Sequence, residues 1–109
     1  MQIQFNSDRH IEGHEALAAW ATEVVQDALR RHGAPVTRVE IHVSDENGDK
    51  GGAADKRCVM EARLERHQPL AVTHHAQSLH LAVTGAAEKL DRVLENTLAR
   101  TARRQVLPE

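Results

Sequence analysis

Aromatic side chains are almost missing from this chain of 109 residues: Trp20 and Phe5 are the only two, and there is no tyrosine. Modules that stack bases on aromatic platforms are therefore excluded, because each stacked base needs its own exposed ring. A single cysteine, Cys58, rules out an intrachain disulfide and a cysteine-cluster zinc site. No apolar run approaches the roughly 18 residues of a membrane span. The start, Met1-Gln2-Ile3-Gln4, has neither the cationic nor the apolar region of a signal peptide. These absences predict a cytoplasmic protein with no membrane partner. Excess charge is missing too: 14 Lys and Arg against 16 Asp and Glu leave −2.

That small total conceals an uneven distribution. Residues 1–55 carry five basic and ten acidic side chains, whereas residues 56–109 carry nine and six. A polyanionic partner therefore belongs with the second half. Length and composition, with 40% hydrophobic and 28% charged residues, fit one soluble domain with one core. We assign residues 1–104 to that domain and 105–109 to a C-terminal tail.

Two hydrophobic periods alternate along the chain. Ile3 and Phe5 alternate with Gln2, Gln4 and Asn6, predicting a short strand. From His14 to Arg31, Leu17, Trp20, Ala21, Val24, Val25, Ala28 and Leu29 form a helical stripe, stopped by Gly33 and Pro35. Val36–Ser44 and Arg57–Glu65 alternate again, with Val39, Ile41, Val43, Cys58, Met60, Ala62 and Leu64 facing inward. Leu70 to Thr73 or His74 predicts a fourth strand. Ser78 is placed to cap a second helix carrying Leu79, Ala82, Val83, Ala86, Leu90, Val93, Leu94 and Leu98 on one side. Past Leu98 the pattern weakens, predicting that the helix frays or projects. Gly85 inside it predicts close approach to another backbone. The order β-α-β-β-β-α specifies an α+β two-layer sandwich. Strands one and two should be parallel, joined by a right-handed crossover, in a four-stranded mixed sheet with both helices on one face.

Residue types that support catalysis are present without the arrangement it needs. Eight histidines are scattered; His74 and His75 are adjacent and so point to opposite faces of a strand, which spoils a ligand set. Asp45, Asn47 and Asp49 alternate like the start of a calcium loop. However, Lys50 stands where the turn needs glycine and Lys56 where the bidentate glutamate belongs. Cys58 shares strand parity with Met60 and Leu64, which marks a buried thiol. Glu61 and Glu65 interleave with Arg57 and Arg63, as cross-strand ion pairs do. The expectation is no enzyme, no metal and no cofactor. What stands out is a cationic stripe on the second helix and its extension: Lys89 and Arg92 three residues apart, then Arg103 and Arg104 three and four residues beyond Arg100. Such a ridge suits an RNA backbone read with little sequence preference.

Three segments carry a family likeness: Ile11-Glu12-Gly13-His14-Glu15-Ala16-Leu17, Val39-Glu40-Ile41-His42-Val43-Ser44, and Ser78-Leu79-His80-Leu81-Ala82-Val83 followed by Glu88-Lys89-Leu90-Asp91-Arg92. In order and spacing they resemble the ribosome hibernation-promoting factors and ribosome-associated inhibitors, also known as sigma-54 modulation proteins, in their short form. The resemblance spans roughly residues 1–104. It implies a stress or stationary-phase regulator that binds the small ribosomal subunit through rRNA and blocks the mRNA and tRNA channel. By the same resemblance Lys89 and Arg92 match rRNA phosphate contacts on the second helix, and Arg30 one near the end of the first. Arg100, Arg103 and Arg104 lie beyond the matched register and are assigned from charge alone. His80 replaces the family's tyrosine, Thr84 its aspartate, and Glu23 and Asp27 make the first helix acidic where basic residues are common. The alternative is a diverged, non-ribosomal protein-binding module using that acidic helix and the 45–55 loop, or a homodimer through the exposed sheet face.

Overall fold

A computed structural model describes residues 1–8, 14–46 and 55–106, the side chains of 103–106 excepted. The chain forms β1 (Gln2–Ser7), α1 (His14–Leu29), a 3₁₀ turn (Arg30–His32), β2 (Val36–Asp45), β3 (Lys56–Leu64), β4 (Leu70–Ala76) and α2 (Leu79–Val106). The strands lie in the order β1-β2-β3-β4. β1 runs parallel to β2, and β2, β3 and β4 form an antiparallel meander. This is the α+β architecture that the hydrophobic periods predict. β4 reaches two or three residues further than its apolar run suggests. Residues 47–54, most of the polar loop weighed as a calcium site, fall outside the described residues.

One face of the sheet is apolar, and the alternation accounts for it. Val39, Ile41 and Val43 of β2 lie opposite Ala62, Met60 and Cys58 of β3, all buried. Above them pack Leu17, Ala21, Val25 and Leu29 from α1, and Ala82, Val83, Ala86, Leu90 and Leu94 from α2. The buried stripe of α1 is narrower than its sequence pattern, because Trp20, Val24 and Ala28 are only half-buried at its margin. On the opposite face the register sets Glu40 directly against Glu61, an unfavourable like-charge pair. Arg63 resolves it, lying 3.6 Å from the Glu40 carboxylate and 3.5 Å from that of Glu61.

Helix ends follow local chemistry. The Ser78 hydroxyl accepts a hydrogen bond from the Leu81 amide at 3.1 Å, capping α2 as its position predicts. α1 stops at Leu29 and tightens into the 3₁₀ turn. Gly33 then reverses the chain at φ 63°, a left-handed conformation that a Cβ disfavours. α2 does not fray after Leu98 but continues through Val106, helical on both sides of residue 104. Its 28 residues span about 42 Å at 1.5 Å per residue. It gives the molecule its long axis, 58 Å against 24 and 19 Å. Gly85 is needed for close approach, but the neighbour is a side chain and not a backbone: a Cβ there would overlap the imidazole of His74 on β4. His74 is thus half-buried under α2.

Two polar clusters hold the ends of this assembly. At one, the Lys56 ammonium lies 2.9 Å from the Asp55 carboxylate and 3.4 Å from that of Asp45, closing the base of the β2–β3 loop. The Asp55 side chain is only 1% exposed. At the other, Arg31 Nε and one terminal nitrogen reach both oxygens of Asp91, at 3.2 and 3.1 Å. Its two terminal nitrogens also reach both oxygens of Glu95, each at 3.1 Å. His32 Nε2 adds a contact of 2.6 Å to Asp91. The hydrogen bond from Lys56 outweighs desolvation and holds the Asp55 carboxyl below its ordinary range. Desolvation would raise Asp91, but the bonds from Arg31 and His32 prevail and lower it. The bond from Arg31 lowers Glu95 as well.

Folded-state acidities below the unfolded values mean stability that is complete at neutral pH and lost as pH falls through the carboxylate range, below about pH 4. Thermal melting from pH 7 to pH 3 should show this loss, and D55N or D91N should flatten it. D91A should lower Tm more than E95A, because Arg31 keeps Glu95 but the buried imidazole of His32 loses its carboxylate partner. G85A should destabilise by about 1–3 kcal/mol through overlap with His74, despite the better helix propensity of alanine. In an H74A background the same change should be neutral or stabilising, a coupling that a double-mutant cycle measures.

Candidate nucleic-acid interface

The structure separates the predicted cations instead of gathering them. Lys89 is half-buried, and its ammonium donates a hydrogen bond of 2.9 Å to the Thr73 carbonyl on β4. It straps α2 to the edge strand through one N–H donor of its ammonium. Arg30 lies at the end of α1 and pairs with Asp27 at 2.7 Å, both side chains well exposed. Arg92 and Arg100 are exposed on α2, with no ion pair to any described residue. At 100° per residue they stand about 80° apart around the helix axis, on one side of it. Arg103 and Arg104 lie in the last turns of α2, with side chains outside the described residues.

Two cations escaped the sequence pattern. Arg31, which the sequence marks only as the end of the first helical stripe, is the chief polar link between the helices. Its guanidinium is held firmly charged by the hydrogen bonds it donates to Glu95 and then Asp91. The available signal was the acidic pair Asp91 and Glu95, four residues apart on the second helix. Arg66 occupies the tight β3–β4 turn at φ 58°, a left-handed position unusual for arginine. There it borders a groove of about 670 Å³ together with Leu64, Leu98 and Ala102. The fold thus brings Arg66 beside the distal turns of α2, exposed and without an ion pair to any described residue. Nothing in the spacing of charges along the chain relates residue 66 to residue 100.

The charge of α1 is negative. α1 carries Glu15, Glu23 and Asp27, and no Lys or Arg between His14 and Leu29. Cys58 is fully buried, and burial pushes its thiol up to about 12, so it stays protonated and enclosed. Among the described residues no three His, Cys, Asp or Glu side chains stand close enough to hold a metal ion. No helix of the described residues is long and apolar enough to cross a membrane. The arrangement offers charge and shape to a partner, with free guanidinium groups at Arg66, Arg92 and Arg100.

Comparison with known proteins gives this arrangement a context. The fold is similar to that of the N-terminal domain of Protein Y from Thermus thermophilus. The two match with a TM-score of 0.69 at 15% identity, over 89% of this chain and 99% of that one. It is similar also to a ribosomal subunit interface protein from Coxiella burnetii, with a TM-score of 0.67 at 16% identity, over 91% and 99% of the respective chains. At these identities the likeness concerns the fold. A search of curated proteins gave no match. The sequence model of a family described as sigma 54 modulation protein / S30EA ribosomal protein matches residues 3–102, from β1 into the distal turns of α2. With nearly every element inside that match, the chain belongs to the sigma 54 modulation protein / S30EA ribosomal protein family.

Proposed function

We propose that the protein is a non-enzymatic, hibernation-type regulator of translation. It binds the small ribosomal subunit through rRNA and blocks the mRNA and tRNA channel sterically under stress or in stationary phase. The observation that carries this reading is the family match over residues 3–102. The elongated body, 58 Å by 24 Å by 19 Å, suits a guest lying lengthwise in a channel. The unpaired guanidinium groups of Arg92 and Arg100 supply phosphate contacts, and Arg66, at the β3–β4 turn, adds a third exposed cation. Arg103 and Arg104 extend the same helix. Lys89 contributes indirectly by fixing α2 on β4, and Arg30 is half-neutralised by Asp27. The contacts are few, and α1 repels phosphates, so affinity depends strongly on ionic strength.

Sucrose-gradient sedimentation with purified small subunits tests this. The protein should co-migrate at low salt and dissociate as salt rises. R92E/R100E should abolish co-migration while leaving Tm within about 0.5 kcal/mol equivalent of the parent, since neither side chain has an ion-pair partner among the described residues. The milder R92Q/R100Q should reduce the salt slope by about 2, because two phosphates would then keep their counterions. K89A should instead lower Tm through loss of the bond to Thr73 and shift binding only modestly. Salt-insensitive binding, or full binding by R92E/R100E, would overturn the assignment of these residues.

A further inference from the structure

β4 ends the sheet on one side, and the phase of the hydrogen-bond ladder fixes which of its backbone groups are left over. In an antiparallel sheet, successive residues turn their N–H and C=O alternately to one neighbour and to the other. The Glu46 amide donates to the Asp55 carbonyl at 2.9 Å, and the Glu65 amide to the Pro35 carbonyl at 3.0 Å. Arg57, Val59, Glu61 and Arg63 therefore bond toward β2, whereas Lys56, Cys58, Met60 and Ala62 bond toward β4. The partners of that second set are Ala76, His74, Val72 and Leu70. Ala71, Thr73 and His75 are left pointing their N–H and C=O away from the sheet, where no described strand lies beside them.

Such an edge invites another strand, and this one lacks the usual defences. Leu70–Ala76 contains no Asp, Glu, Lys, Arg or Pro, and no bulge interrupts its register with β3. Its guard comes from α2 instead. Lys89 reaches over the rim and donates a hydrogen bond of 2.9 Å to the carbonyl of Thr73, the central outward acceptor. Gly85, about one turn earlier on the same side of α2, lets the helix lie close enough for that reach.

The strand that fits this edge is β4 of a second copy. Antiparallel pairing about a two-fold axis at Thr73 would set Thr73 against Thr73 and Ala71 against His75, each pair exchanging outward N–H and C=O. No like charges meet within the paired strands, and the small Ala71 faces the larger His75. α2 packs over β3 and β4, so two α2 helices on the joined sheet would stand about 10 Å apart, an ordinary packing distance. Lys89 opposes this arrangement. Both ammonium groups would converge on the axis, at the carbonyls that the facing amides need.

We propose that Lys89 guards the β4 edge: bonded to Thr73 it keeps the chain monomeric, and without its ammonium β4 pairs with β4 of a second copy. This role stands whether or not the protein binds the ribosome.

Amide hydrogen exchange on the parent tests the phase of the ladder. Ala71, Thr73 and His75 should exchange at least about tenfold faster than Val72 and His74. Analytical ultracentrifugation tests the guard. The parent should sediment as a monomer, and so should K89R, which keeps a charged donor. K89M keeps the apolar stem without the ammonium and should self-associate at least about tenfold more tightly than the parent. In that dimer the amides of Ala71, Thr73 and His75 should become protected. Adding T73P to K89M should restore the monomer, because proline removes an outward N–H and leaves the bonds to β3 in place. Circular dichroism should show each variant folded, and K89L takes the place of K89M if the latter is not. A dimeric parent, a monomeric K89M, a dimer that T73P does not disperse, or a dimer with unprotected edge amides would each overturn the proposal.

Discussion

Only one face of the sheet is apolar, and both helices have to lie on it. The inward residues of β2 and β3 present a surface too broad for one helix. α1 and α2 therefore pack beside one another above the same strands. Once that is settled, the charged residues of the two helices are confined to the outer surface, to the seam between them or, for Lys89, to the β4 edge. Arg31, Asp91 and Glu95 meet at that seam, Trp20 and His80 meet at its other end, and Gly85 lets α2 settle against His74. Removing the apolar face would leave each of these pairings without a reason to form.

The same constraint decides which cations remain available to a partner. A helix read in isolation displays Lys89, Arg92 and Arg100 as one stripe. Packed on the sheet, it turns Lys89 toward the β4 edge, where a backbone carbonyl accepts its proton, and leaves the two arginines in solvent. Arg31 is drawn into the seam by two carboxylates, so the end of α1 has little free positive charge. The exposed arginines of α2 thus stand apart from an α1 that carries no Lys or Arg, a division that the net charge of −2 does not show.

Much of the fold is legible in the sequence because burial imposes periods that survive there. Alternation across Val39, Ile41 and Val43, and the three- and four-residue steps from Leu79 to Leu98, identify strands and helices and give their inward faces. Gly33 and Ser78 mark helix ends because their chemistry is local. Family kinship is also legible, since it lies in the order of short segments. Expectation and structure part where an interaction joins distant residues. A glycine at position 85 suggests a backbone neighbour, whereas its neighbour is a histidine on another element. The weakening pattern after Leu98 leaves fraying and projection both open, and the helix continues to Val106.

The sequence alone determined the element order, the inward faces, the uneven charge of the two halves and the absence of stacking aromatics. All of these depend on residues close together in the chain or on composition. Only the tertiary structure decided that Lys89 is a strap, that Arg31 bridges Asp91 and Glu95, and that Arg66 borders the distal part of α2. Charges act through space over a few ångströms, and sequence spacing carries no record of which distant groups the fold brings within that range.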